Sequence, residues 1–401
     1  MTAPVLTAQS RLSPGLVEGI AAWAEAEGLE TPVFGFVPDV LPPGVERLRA
    51  ELGGRISYST KANPHPLVLR ELVPLVDEFN VTNLVHLDDL LALGVEPGRV
   101  MWLHTVVAPK TLEAVLARGV RRFVVDDRRG VDLLAATGAD VAVTLRLLPP
   151  DTGEAERSVV RFGNTVEALE DVARHAVAAG LRVEGLSFFV GTDGEDMGEA
   201  APYRAGIETL AGLHETLREG GIAVGTIVVG GGFPGSRRRF YVDYPGFLGR
   251  VREALEDAFG PGVTILSEPG RYLAEPTLVM LTRVVADRVV AGRRLVYLDA
   301  SAYGGLFETT FIEPDSGPTI ATRAEAGPPA PAEVLGPIMD SFDVLQKGGA
   351  LPPVAEGELV VLPNVGAYAI GFVNQCEGIR SPEVVPLPEK PAAALAEEWY
   401  E

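Results

Sequence analysis

Between about Val33 and Met280 the chain alternates short apolar, β-branched runs with longer stretches in which apolar residues recur at helical spacing. After an opening run at Val33–Val37, eight strand-like runs follow: Ile56–Ser59, Asp77–Val81, Val100–His104, Arg122–Val125, Val141–Leu147, Val183–Val190, Thr226–Val229 and Val263–Leu266. Thr111–Arg118, Thr165–Ala179, Tyr203–Glu219 and Tyr244–Ala258 read as helices between them. Runs that are apolar on both faces and alternate with helices predict a parallel sheet covered by helices. Eight of them predict an α/β fold closed into a TIM-like (β/α)8 barrel, with an open doubly wound sheet as the plainer alternative.

Beyond Met280 the pattern changes to strand-like runs at Leu278–Val285, Arg294–Leu298, Glu358–Leu362 and Ala369–Phe372, with few helical stretches. This predicts a second, mostly β domain, so the expected division is a barrel over 33–280 and a β-rich domain over 281–401 with part of 1–32. Gly15 to Gly28 and the tail from Pro388 read as short helices. Glu313 to Glu333, rich in Pro, Ala, Gly and Thr, reads as an ordered loop over a pocket or a flexible insertion.

Composition narrows the possible chemistry. With 401 residues, 47% hydrophobic and 22% charged, the chain has the make-up of a soluble globular protein of two domains. Its net charge of -21 disfavours nucleic acid and anionic membranes as partners. One cysteine, Cys376, excludes an intrachain disulfide framework and a zinc site built on several cysteines, and no metal is expected. Residues 1–30 lack the basic-then-apolar order of a signal peptide, and no apolar run reaches the roughly 18 to 20 residues of a membrane span, so the expected location is the cytoplasm.

In such a barrel the active site lies at the C-terminal ends of the strands. Four candidates fall there: Lys61 in Tyr58-Ser59-Thr60-Lys61-Ala62-Asn63-Pro64, Phe189 with Gly191, the triplet Gly230-Gly231-Gly232, and Glu268. A lysine whose pKa is lowered by a desolvated pocket or a nearby cation forms an imine with an aldehyde; a solvated surface lysine does not. Three glycines after a strand expose backbone N–H groups to a phosphate, with a following helix N-terminus adding its dipole; a simple tight turn is the other reading.

Taken in order, Lys61, Phe189-Val190-Gly191-Thr192, Gly230-Gly231-Gly232-Phe233-Pro234, Glu268-Pro269-Gly270-Arg271, Gly336-Pro337-Ile338-Met339-Asp340-Ser341 and Gly366-Ala367-Tyr368 resemble the pyridoxal-phosphate decarboxylases of the ornithine and diaminopimelate decarboxylase family. The resemblance runs from about Thr31 to about Pro386. It implies pyridoxal 5'-phosphate held by Lys61, with Gly230, Gly231, Gly232, Thr192, Arg271 and Tyr368 at the phosphate. It also puts Phe189 on the ring and Glu268 at the pyridine nitrogen. The implied reaction removes the α-carboxylate of an amino acid, in a homodimer whose sites are completed by Met339 and Asp340 of the neighbouring chain.

Several positions depart from the family pattern. Phe189 replaces a histidine, Thr192 a serine, and Asn80 and Val228 stand where aspartates are common. Met339 takes the place of the cysteine that returns a proton to the substrate carbon, and a thioether has no proton to give. Lys61, ordered water or another group such as Cys376 would have to supply it, or the reaction is another, altered pyridoxal-phosphate reaction. Asp340, with Glu313 as a loosely aligned second acid, implies a substrate with a distal amino or polar group. The arginine motif for the distal carboxylate of diaminopimelate is missing from Tyr303–Pro314. The expected substrate is thus ornithine-like, lysine-like or a modified amino acid of a specialised pathway. An amino-acid racemase, a non-enzymatic homologue acting as a binding partner and a single-domain pyridoxal-phosphate carrier are the alternatives. The first lacks its second-base motif, the second has no use for the retained aldehyde pocket, and the third has no β domain.

Overall fold

The computed structural model describes residues 12–148, 161–191, 200–235, 244–310, 320–322 and 327–400. After β1 (Val33–Phe36), eight parallel strands close into a barrel in chain order: β2 (Arg55–Ser59), β3 (Glu78–Val81), β4 (Val100–Trp102), β5 (Arg122–Val125), β6 (Ala142–Arg146), β7 (Arg182–Ser187), β8 (Thr226–Val228) and β9 (Thr264–Ser267). Closure comes from β2 pairing with β9, Arg55 opposite Leu266, so the open-sheet alternative is set aside. The four expected helices form at Pro109–Ala117, Val166–Ala178, Ala201–Glu219 and Tyr244–Ala258.

Met101, Val124, Val228 and Leu266, from four different strands, pack together as a buried cluster with Leu103 against it. An aspartate at 228 would be buried among these apolar side chains without a partner, which accounts for valine at that position. An ion network joins strand starts across the barrel wall. Glu78, almost fully buried, pairs with Arg55 at 2.7 Å and with Arg122, and Arg122 pairs with Glu184 at 2.8 Å. Removing the shared carboxylate by Glu78→Ala leaves Arg55 unpaired and Arg122 with half its partners. The expected loss is roughly 3 kcal/mol of stability in chemical denaturation.

The chain divides into a barrel unit, Gly44–Pro234 with Val242–Gly270, and a second unit, Met1–Pro43 with Gly235–Tyr241 and Arg271–Glu401. The second unit is built on β10 (Leu278–Val290), β11 (Arg293–Leu298), β12 (Ala330–Pro331), β13 (Glu333–Leu335), β14 (Val344–Gln346), β15 (Ala350–Leu351), β16 (Leu359–Leu362) and β17 (Val384–Pro386). Its main sheet runs β14-β13-β11-β10-β1-β17, with β16 also pairing β10. Thus β1 and the start of β10 belong here, whereas the expected boundaries at 33 and 280 put Val33–Phe36 and Leu278–Met280 with the barrel. Val33–Phe36 is buried throughout and pairs antiparallel with β10 and parallel with β17, partners that periodicity does not reveal.

A second difference concerns Ala369–Phe372, expected as a strand. Tyr368 has φ +56°, which breaks the extended path, and Ile370–Phe372 form a 3-10 turn. The terminal helices form as expected at Pro14–Ala26, capped by Ser13, and at Glu389–Tyr400. Most of the segment from Glu313 to Glu333 lies outside the described residues. Among the described residues no helix is long and apolar enough to cross a membrane.

Candidate active site

In the barrel unit Lys61 occupies the 3-10 turn Thr60–Ala62, directly after β2. Ser59 holds this turn to the loop after β9, its N–H donating to the Pro269 carbonyl at 3.1 Å and its hydroxyl to the Glu268 carbonyl at 3.2 Å. The two loops that carry Lys61 and Glu268 are therefore joined by short bonds between neighbouring strands. Lys61 is accessible to solvent, yet the surrounding protein holds its amine below the usual lysine range through desolvation; nearby Arg146 adds to this and Glu268 opposes it. Glu268 is buried, which pushes its carboxyl above the usual range, while Arg146 and Lys61 pull it back and Glu78 adds a smaller push. Its Oε1 is buried without a hydrogen bond.

The glycine triplet follows β8 by one residue. Gly230 has φ +67°, and a Cβ there would run into the Phe188 carbonyl; a Cβ on Gly231 would lie 2.6 Å from the Glu268 carbonyl. Side chains are excluded from the turn on the Glu268 side, and Tyr203 holds it by donating to the Gly231 carbonyl at 2.8 Å. Gly232 completes the turn with φ +88°. Phe233–Gly235 are irregular, and among the described residues the helix that follows the glycines in the chain is Tyr244–Ala258.

Phe189 lies two residues beyond β7, half-buried, and the Arg146 guanidinium carbon sits 5.6 Å from its ring centroid. Asn80 is buried, its amide donating to Ser57. Thr192 lies outside the described residues. On the same rim, Thr82, Asn83, Trp102, His104 and Val106 help line a cavity of about 320 Å³ that the sequence did not suggest.

The second unit gathers the remaining candidates into two groups. Arg271 is buried; desolvation opposes its charge, but hydrogen bonds and attraction from Glu308, with Glu275 at 3.4 Å and Tyr368, hold its pKa above the usual value. Its guanidinium carbon lies 5.2 Å from the Tyr368 ring centroid. The loop with Met339 and Asp340 is anchored by Asp343, whose carboxylate accepts from Ser301, from the Ala302 N–H at 2.8 Å and from the Ile338 N–H at 3.2 Å. Asp340 accepts from the Phe342 N–H at 2.9 Å and the Tyr303 hydroxyl at 2.8 Å, which together hold it below the usual carboxylate range. The same bond pushes the Tyr303 hydroxyl up to about 12. Met339 is 96% exposed, and Cys376 is partly buried. Glu313 lies outside the described residues.

Comparison with known proteins gives this arrangement its context. The family model described as pyridoxal-dependent decarboxylase, pyridoxal binding domain, matches residues 44–275, more than half of the chain. The chain belongs to the pyridoxal-dependent decarboxylases. It is 25% identical over 346 residues to a probable ornithine decarboxylase of Dictyostelium discoideum, covering 82% of this chain and 73% of that protein. It is 26% identical over 348 residues to a lysine/ornithine decarboxylase of Selenomonas ruminantium, covering 86% of each. Among solved structures, a lysine/ornithine decarboxylase from Vibrio vulnificus, complexed with putrescine, matches with a TM-score of 0.83 at 25% identity, covering 95% of this chain and 99% of that one.

The cofactor of these decarboxylases is pyridoxal phosphate, and the barrel residues suit it. A lysine with a lowered pKa, a buried carboxylate oxygen without a partner and a glycine turn that admits no side chain are the groups its aldehyde, ring nitrogen and phosphate require. Sequence reading missed Arg146 and Tyr303. A charged residue closing the apolar run Val141–Leu147 was the available signal for Arg146, whereas Tyr303 meets Asp340 only through folding.

Proposed function

We propose that this decarboxylase removes the α-carboxylate of an amino acid with a distal amine, of the ornithine or lysine type. The observation that carries this reading is the Asp340 carboxylate, held as an anion by Tyr303 and the Phe342 N–H, a fit for a substrate ammonium. The substrates named for the relatives in Dictyostelium, Selenomonas and Vibrio support it.

Bound pyridoxal phosphate supplies the electron sink for the pair released when the carboxylate leaves. Lys61 attaches the cofactor through Nζ, and its lowered pKa makes the neutral amine available at lower pH than in a free lysine. Glu268 would hold a proton on the ring nitrogen, Phe189 would cover a ring face, and Gly230, Gly231 and Gly232 would offer backbone N–H groups to the phosphate. The family resemblance adds Arg271, Thr192 and Tyr368 as phosphate contacts. Met339 has no proton to give, and the Lys61 ammonium would return the proton to the substrate carbon.

A homodimer with shared sites fits the exposed apolar side chains Met339, Phe342 and Phe372, which a second copy would cover, bringing Asp340 with them. A reducing, cytoplasmic setting suits a chain with one cysteine. The test is carbon dioxide release by the purified protein with pyridoxal phosphate and ornithine, lysine, arginine or diaminopimelate. Release from ornithine or lysine and none from diaminopimelate is expected; release from diaminopimelate with none from ornithine or lysine would overturn the assignment to Asp340.

A further inference from the structure

We infer that Arg146 is a positioning residue for this site: the permanent cation, held over the face of Phe189, that keeps Glu268 ionised while Lys61 gives up its charge. The inference rests on the roles proposed above for Lys61 and Glu268. Arg146 is the last residue of β6, so its side chain starts at the same rim as the loops that carry Lys61 and Glu268. Its Nε is buried without a hydrogen bond, and its guanidinium carbon stands 5.6 Å from the Phe189 ring centroid. A ring face holds a cation without neutralising it, so the charge remains available to other groups.

The groups that act on one another here are few. Burial opposes the charge of Arg146 while Glu268 and Asp126 attract it; Glu268 is attracted by Arg146 and Lys61 against Glu78, and Lys61 is repelled by Arg146 and attracted by Glu268. The Lys61 amine has to be neutral to attack the cofactor's aldehyde, and in that form it leaves Glu268 with one of its two cations uncharged. Burial would favour its protonated form, which no longer stabilises a proton on the ring nitrogen. A guanidinium keeps its proton throughout, and so supplies the charge that Lys61 withdraws. Phenylalanine at 189 suits this arrangement, since a histidine would place a second titrating cation against the guanidinium.

The experiment measures the pH dependence of Lys61 acylation by acetic anhydride in the full-length protein freed of cofactor, read by peptide mass spectrometry. Arg146→Met should move the midpoint roughly one to two pH units higher, a fall of about tenfold per unit in rate below the midpoint. Arg146→Lys should restore most of the wild-type profile. If the Met variant does not fold, Arg146→Gln against Arg146→Lys makes the same comparison. A midpoint unchanged in the folded neutral variant, or equally shifted in Arg146→Lys, overturns the inference. Because no cofactor is present, failure of the wild-type protein to bond pyridoxal phosphate would count against the proposed function and leave this reading to its own result.

Discussion

Lys61→Ala is expected to lower decarboxylation by about a thousandfold or more and to abolish covalent capture of pyridoxal phosphate. The wild-type protein should show a band at about 410 to 430 nm that borohydride removes, with the label recovered on the Lys61 peptide; the alanine variant should show neither. The expected effect is large because the proposed mechanism gives one side chain two jobs: attaching the cofactor and, with Met339 in place of a proton donor, returning the proton. Mixing this variant with Asp340→Ala tests the dimer at the same time. If each site combines Lys61 of one chain with Asp340 of the other, random hybrids should recover about a quarter of wild-type activity. A mixture that stays as inactive as its parents would remove the shared-site proposal, and a Lys61→Ala protein with near-native turnover would remove the mechanism.

Glu268→Gln is expected to reduce kcat by about a hundredfold or more while the cofactor still binds. The amide is close to the carboxylate in size, so the glycine turn and the Ser59 contact with the residue 268 carbonyl should persist. The amide cannot stabilise a protonated ring nitrogen, and the electron sink weakens. A second effect has a definite sign. Glu268 raises the pKa of Lys61 against the stronger influence of burial, so its neutralisation lets the amine deprotonate at still lower pH. The acidic limb of Lys61 reactivity in the cofactor-free protein should therefore move to lower pH, opposite to the shift expected for Arg146→Met. Opposite shifts from two single variants would separate electrostatics from general damage to the site.

Much of the barrel is legible in the sequence because its strands are buried on both faces and its helices on one. Two local periods then suffice, as the runs at Arg122–Val125 and Thr226–Val229 illustrate. The rim chemistry is legible for a related reason: Lys61, the glycine triplet and Glu268 each follow a strand directly, so strand order alone places them at one end of the barrel. Ala369–Phe372 misleads because its composition suits a strand, while the positive φ of Tyr368 turns the chain away.

What the sequence determined by itself was the kind of fold, the cofactor chemistry and the residues at the strand ends, because each depends on local pattern or on residue type. Tertiary structure alone decided that β1 joins β10 and β17, that Arg271 is held between Glu275 and Glu308, that Tyr303 fixes Asp340, and that Arg146 lies over Phe189. Each of these depends on distances between residues far apart in the chain. Charge, burial and hydrogen bonding act through such distances, and no local period encodes them.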